Sequence, residues 1–164
     1  MARPLRIEFP GAVYHVSSRG EGGSAIFLDK ADRQCLLSVL AHGMQRFDAK
    51  VLAYCLLDDS FEMVIYTAQA NLSRLMRHVN GVYTQAFNRR HSRTGPVLQG
   101  RFKSVLVDRD KNLLGACQYV ESAAVREGPH DQFMGLVQLW RTCRSQRGAG
   151  VAGQPWLVEL RAGT

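Results

Sequence analysis

Between residues 66 and 107 the chain carries Arg74, Arg77, Arg89, Arg90, Arg93, Arg101 and Lys103 and no carboxylate at all. Residues 1–65 hold seven Lys/Arg against eight Asp/Glu, and residues 108–164 hold seven against six. The net charge of +7 therefore sits in that one window. Six of its seven cations are arginine, whose planar guanidinium grips phosphate oxygens two at a time. A concentrated basic stretch without counter-charges is the footprint of a polyanion binder, whereas a surface that only keeps a protein soluble mixes both signs. Other reactive groups are scattered. The four cysteines (Cys35, Cys55, Cys117, Cys143) form no C-x-x-C pair. His15, His42, His78, His91 and His130 show no metal-ligand spacing, and His78 and His91, inside the basic window, are expected to face phosphate or solvent.

The rest of the composition sets bounds. A chain of 164 residues, 46% hydrophobic and 21% charged, suits one globular domain, at most with a tail, and can bury a core without disulfides or metal. No apolar run nears the roughly 20 residues needed to span a bilayer. The N-terminal MARPLRIEFPG is basic but lacks the apolar stretch of a signal peptide. Isolated cysteines fit a reducing compartment, so a cytoplasmic location is expected.

Periodicity supplies the elements that must position the basic groups. Residues 12–19 read as a short strand ended by Gly20, Gly22 and Gly23. Asp29 is placed to cap a helix, with Asp32 in the capping-box position and Leu36, Leu37, Leu40, Met44 and Phe47 behind it at helical spacing. The apolar run 51–57 and the alternating run 61–66 read as a hairpin turned at Asp58-Asp59-Ser60, with Phe61, Met63 and Ile65 on one face and Glu62, Val64 and Tyr66 on the other. Asn71 is placed to cap a helix over about 72–90, whose inner stripe includes Leu72, Leu75, Met76, Val79, Tyr83 and Phe87, and whose outer side carries Arg74, Arg77, His78, Gly81 and Gln85. A strand at 101–107 and a helix at about 110–126, with Leu113, Leu114, Cys117, Val120 and Ala124 inward, follow. Beyond lies a loop-rich tail with helical residues around Trp140 and an anchor at Trp156-Leu157. The order β-α-β-β-α-β-α implies an α+β fold, a helix-backed antiparallel sheet of ferredoxin-like type.

The ordered set of segments MARPLRIEFPGAVYHVSSRG (1–20), IFLDKADR (26–33), AYCLLDD (53–59), NLSRLMRHVNGVYTQAFNRRH (71–91), GPVLQGRFKSVLVD (95–108) and YVESAAVREG (119–128) resembles the small tyrosine transposases of the HUH superfamily, above all the REP-associated tyrosine transposases. The resemblance covers most of residues 1–128, taken as the transposase-like DNA-binding domain, with 129–164 as a tail packed on it. It implies the HUH endonuclease/transposase fold, a ferredoxin-like sheet with helices on one side, a homodimer, and single-stranded hairpin or palindromic DNA as partner. It also implies a helix-borne tyrosine that attacks a phosphodiester, at the position of Tyr119. A divalent metal polarises that phosphate in the family, held by two histidines two apart on a strand and a helical Asn or Gln four residues after the tyrosine. Ligands at i and i+2 of a strand face the same way, and a residue one turn along the helix shares the tyrosine's face. The metal is needed because a phenol of pKa about 10 is a poor nucleophile.

This sequence departs from the family at all three ligand positions: Ser60 and Glu62 stand where the histidines belong, and Ala123 where the Asn belongs. Glu62 can bind Mg²⁺ or Mn²⁺ and Ser60 only weakly; Ala123 cannot bind at all, so no metal cofactor is expected. A rearranged site would have to recruit Asp58, Asp59 or His15. What is retained is a grip on polynucleotide: Arg3 and Arg6 in the N-terminal arm, Arg74, Arg77, Arg89, Arg90, Arg93, Arg101 and Lys103, with Tyr83, Phe87 and Phe102 as aromatic groups that either stack on bases or fill the core, the last being favoured for Tyr83 and Phe87. The expected function is therefore hairpin-DNA binding without strand cleavage, open to a regulatory role. The rivals are an active metal-dependent nickase using Tyr119 with substitute ligands, a sheet-based RNA binder or protein-interaction module, and a membrane-surface helix; the last is disfavoured because the core claims the apolar stripe of 72–90.

Overall fold

The computed structural model describes residues 5–126; Arg3, His130 and the 129–164 tail, with Trp140 and Trp156-Leu157, lie outside the described residues. Four strands, β1 (Ala12–Arg19), β2 (Ala49–Leu56), β3 (Ser60–Thr67) and β4 (Lys103–Val107), form one sheet in the order β2-β3-β1-β4. Every neighbouring pair is antiparallel. Helix α1 (Lys30–Phe47) joins β1 to β2, and α2 (Leu72–Arg90) joins β3 to β4. This is the split β-α-β arrangement that the element order implied.

Strand alternation sorts the core into two layers. Tyr14 and Val16 of β1 and Phe61, Met63 and Ile65 of β3 face α1 and α2, where they meet Leu36, Leu40, Leu72, Leu75, Met76, Val79, Tyr83 and Phe87. Tyr83 and Phe87 are thus core side chains, and the Tyr83 hydroxyl donates to the Ile26 carbonyl. The opposite face carries Val13, Ala53, Cys55, Val64 and Val107, covered by Val120 and Ala123. Those two residues belong to α3 (Leu113–Glu121) and α4 (Ala123–Arg126). Helices therefore cover both faces of the sheet, not one.

Three local findings refine the sequence reading. A bulge between Val51 and Ala53 switches the face that β2 presents, so Ala49 and Val51 serve one core and Ala53, Cys55 and Leu57 the other. A strand that buries both sides this way reads as a continuous apolar run rather than an alternation. The expected helix over 110–126 is two pieces broken at Ser122, and Leu114 points outward at 55% exposure while Ala123 is buried. Asn71 occupies the N-cap position of α2 but its side chain does not cap; Nδ2 donates to the Phe47 carbonyl instead. The cap comes from Glu8, whose Oε1 accepts from the Ser73 amide at 3.0 Å and from the Ser73 hydroxyl. An arm 65 residues away in sequence thus satisfies the helix end, a pairing invisible to a local pattern.

Candidate nucleic-acid interface

Because Glu8 is tied to α2, the residues beside it in the arm are placed as well. The Arg6 guanidinium lies 3.7 Å above the Phe102 ring. It donates from Nε to Ser104 Oγ at 3.1 Å and from Nη2 to the Phe102 carbonyl. On the helix, Ser73, Met76, Arg77 and Asn80 recur at the three- and four-residue spacing of one face. Residues 97–99, just before β4, are pinned to the end of β1: the Glu21 amide donates to the Val97 carbonyl at 3.0 Å and the Gln99 amide to the Arg19 carbonyl at 2.8 Å. That anchorage buries Val97 and Leu98 and delivers Arg101 and Phe102 to the same place.

The three segments enclose a groove of about 370 Å³ whose lining includes Arg6, Ser73, Arg77, Asn80 and Arg101. A second groove of about 520 Å³ adjoins it along β4, sharing Arg6, Arg101 and Phe102 and adding Lys103 and Ser104. No carboxylate lines either. Burial and then the neighbouring charge of Arg101 hold the Arg6 guanidinium below its usual value, against the opposing pull of nearby Glu8; with Arg6, Arg77 and Arg101 on the lining and no carboxylate among it, the groove keeps a positive field for an anion to occupy. Arg74, Arg77, Arg89, Arg93, Arg101 and Lys103 are exposed, and none forms an ion pair among the described residues. Phe102 is buried beneath Arg6, so a base would meet the guanidinium face rather than the ring.

Two groups of the basic window are placed differently. Arg90 bridges Asp29 at 2.5 Å and Asp32 at 2.6 Å, and His91 Nε2 lies 2.9 Å from both Asp32 oxygens. These contacts tie the end of α2 to the start of α1, where Asp29 caps the Asp32 amide at 3.0 Å and Asp32 reaches back to the Leu28 amide at 2.9 Å. His91 is therefore an internal partner of a carboxylate, not a group facing phosphate, and half-buried His78 packs against the Phe47 ring at 5.7 Å.

The tyrosine position lies on the other face of the sheet. Tyr119 is 52% exposed, and its ring meets that of His15 edge-on at 5.7 Å. Glu62 Oε2 is 3.2 Å from His15 Nε2 and 3.8 Å from Arg126 Nη2. Ser60 is buried and donates to Asp59 Oδ1 at 2.9 Å, and Asp59 also meets Arg19. Asp58 is paired with Arg33, and Ala123 has no donor atom to offer and is 1% exposed. No group of three His, Cys, Asp or Glu among the described residues is arranged to hold a metal ion. The side chains at the family's ligand positions thus do not fit a divalent cation: one has no ligating atom, one is turned to an aspartate, and one already faces a guanidinium. Sequence reasoning placed His15 beside this site but missed Arg126; its only signal was a lone cation seven residues after Tyr119.

No helix among the described residues is long and apolar enough to cross a membrane. No protein-family model matches the chain, and no curated protein matches it. Among solved structures, a REP-associated tyrosine transposase bound to a REP hairpin superposes with a TM-score of 0.71 at 13% identity, covering 99% of this chain and 100% of that one. A candidate transposase from Deinococcus radiodurans superposes with a TM-score of 0.49 at 12% identity, covering 74% and 95%. The first superposition shows that the fold of the REP-associated tyrosine transposase is shared.

Proposed function

We propose that this chain is a transposase-derived DNA-binding protein that holds single-stranded hairpin or palindromic DNA without cutting it. The observation that carries the reading is the groove between the arm, α2 and the start of β4, where Arg6, Arg77 and Arg101 converge with no carboxylate among the lining residues. A protein of the same fold is bound to a REP hairpin, which is the class of ligand such a groove suits. These arginines and Lys103 meet phosphates and release counter-ions, so binding depends steeply on salt. Arg74, Arg89 and Arg93 extend the basic surface. Arg90 is reassigned to the fold, because both of its carboxylate partners are intramolecular. The proposed lack of cleavage is supported by Ser60, Glu62 and Ala123, whose side chains do not fit a metal that would polarise a phosphate. A homodimer, a cytoplasmic location and a regulatory role belong to the same proposal.

Tyr119 gives one observation to the rival reading of an active nickase, since it is exposed and rests beside His15. A paired gel-shift and cleavage assay on end-labelled hairpin oligonucleotides separates the two. Retarded but intact DNA, with the same affinity in EDTA and in Mn²⁺, is expected. A covalent adduct that disappears in Tyr119→Phe establishes the nickase instead, and equal binding to hairpin DNA, duplex DNA and RNA at one salt concentration removes the hairpin specificity.

A further inference from the structure

We propose that Arg126 supplies, as part of the chain, the positive charge that a metal would otherwise bring, and that it seats a DNA phosphate beside Tyr119. The inference rests on the DNA-binding reading and adds to it a second contact point, on the face of the sheet opposite α1 and α2. Among the described residues, Arg126 is hydrogen-bonded through Nη1. Its Nη1 donates to the Tyr119 carbonyl at 2.7 Å and to Ser122 Oγ at 2.8 Å, and its Cζ lies 3.8 Å over the Tyr119 ring. Those contacts hold the guanidinium plane against the end of α3. Its Nη2 faces Glu62 across 3.8 Å, longer than a hydrogen bond. Nε and Nη2 form the edge that receives phosphate two oxygens at a time, and 39% of the side chain is open to solvent. Glu62 also meets His15 at 3.2 Å, so the carboxylate positions the guanidinium without saturating it. A cation held in this way repels a divalent ion approaching the same carboxylate, which gives the altered ligand positions a physical reading: the charge remains and the metal requirement goes.

The test measures hairpin-DNA affinity by fluorescence anisotropy across a salt series, in EDTA and in Mn²⁺. Arg126→Gln keeps a donor for the Tyr119 carbonyl and removes the charge. It is expected to weaken binding roughly tenfold at low salt and to lower the slope of log affinity against log salt by about one phosphate's worth. A role confined to holding the helix end would not change that slope. Arg126→Lys is expected to restore the slope while leaving affinity below wild type, because the bidentate edge is lost. Glu62→Gln, which removes the competing anion, is expected to tighten binding roughly two- to fivefold. An unchanged slope in Arg126→Gln, or wild-type binding that Mn²⁺ strengthens, overturns the seat while leaving the groove intact. A wild type that binds no hairpin at all overturns the DNA-binding reading and the seat with it.

Discussion

The two ends of α2 come from the same carboxylate-free stretch of sequence and meet opposite fates. Near its start, Arg77 faces Arg6 and Arg101 across an open groove whose lining includes no counter-ion. At its end, Arg90 and the adjoining His91 are held by Asp29 and Asp32. A charge count along the chain cannot separate them, because the carboxylates that claim Arg90 lie 61 and 58 residues away. Folding thus divides one basic window into a groove-lining part and a structural part. The division can be broken by experiment. Replacing Arg77 and Arg101 together by Ala is expected to weaken hairpin binding roughly 30- to 150-fold, at about 1–1.5 kcal/mol net per contact, and to lower the salt slope by nearly two. Arg90→Ala is expected to leave the slope unchanged and to lower the melting temperature. A slope that falls equally in both proteins would erase the distinction.

Asp32 sharpens the structural side. It is 1% exposed and receives Arg90, His91 and the Leu28 amide. Removing it leaves the positive end of a helix pair without its shared acceptor, so Asp32→Ala is expected to cost about 3 kcal/mol and roughly 6–12 °C in melting temperature. Burial pushes the Asp32 carboxyl up, but the hydrogen bonds from His91, Leu28 and Arg90 outweigh it and leave it below its ordinary 3.8. Asp29 is driven further down, chiefly by Arg90. A carboxyl depressed by folding stabilises the protein above its unfolded value and loses that contribution as pH falls through the folded one. Thermal melts from pH 6 to pH 2 should therefore show wild-type stability falling below about pH 4, with a shallower fall in Asp32→Ala. Parallel curves would show that this carboxylate is not part of the acid response.

Tyr83 tests the core that both regions share. Its hydroxyl is buried on the Ile26 carbonyl, and burial, followed by the charge of Asp32, pushes it well above the ordinary tyrosine range. Tyr83→Phe leaves that carbonyl unsatisfied and should cost about 1–2 kcal/mol in denaturant unfolding, with hairpin affinity unchanged; a loss of affinity at constant stability would return Tyr83 to the DNA-facing groups.

What the sequence made legible follows from the range of the forces involved. A repeat of 3.6 residues revealed α1 and α2 and a repeat of 2 revealed β3, since each buries a whole stripe, while β2 was legible as an unbroken apolar run. Asp29 was legible as a cap because its partner is three residues away. The bulge in β2 was not, because it is defined by pairing with β3. The break at Ser122 hid for a related reason: Val120 and Ala123 are both apolar, and only contact with Ala53, Cys55 and Val64 shows which turn faces inward. At the site, the substitutions at Ser60, Glu62 and Ala123 were plain from residue types alone. The guanidinium beside Glu62 depends on how the end of α3 folds back on the sheet, and no spacing rule carries that.

Glu8 makes the smallest and most selective test, because it joins the groove to the stability of α2. Its carboxylate caps the Ser73 amide from the arm that also holds Arg6. Loss of a capping side chain costs about 1 kcal/mol. Glu8→Ala should therefore lower stability by that amount and weaken hairpin binding only a few-fold, since Arg6 keeps Ser104 and the Phe102 ring as anchors. The salt slope should stay at the wild-type value, because no phosphate contact is removed. If the slope instead falls as far as in an Arg6→Ala protein, the cap rather than the ring contact is what holds Arg6 in the groove, and the arm is ordered from the α2 side alone.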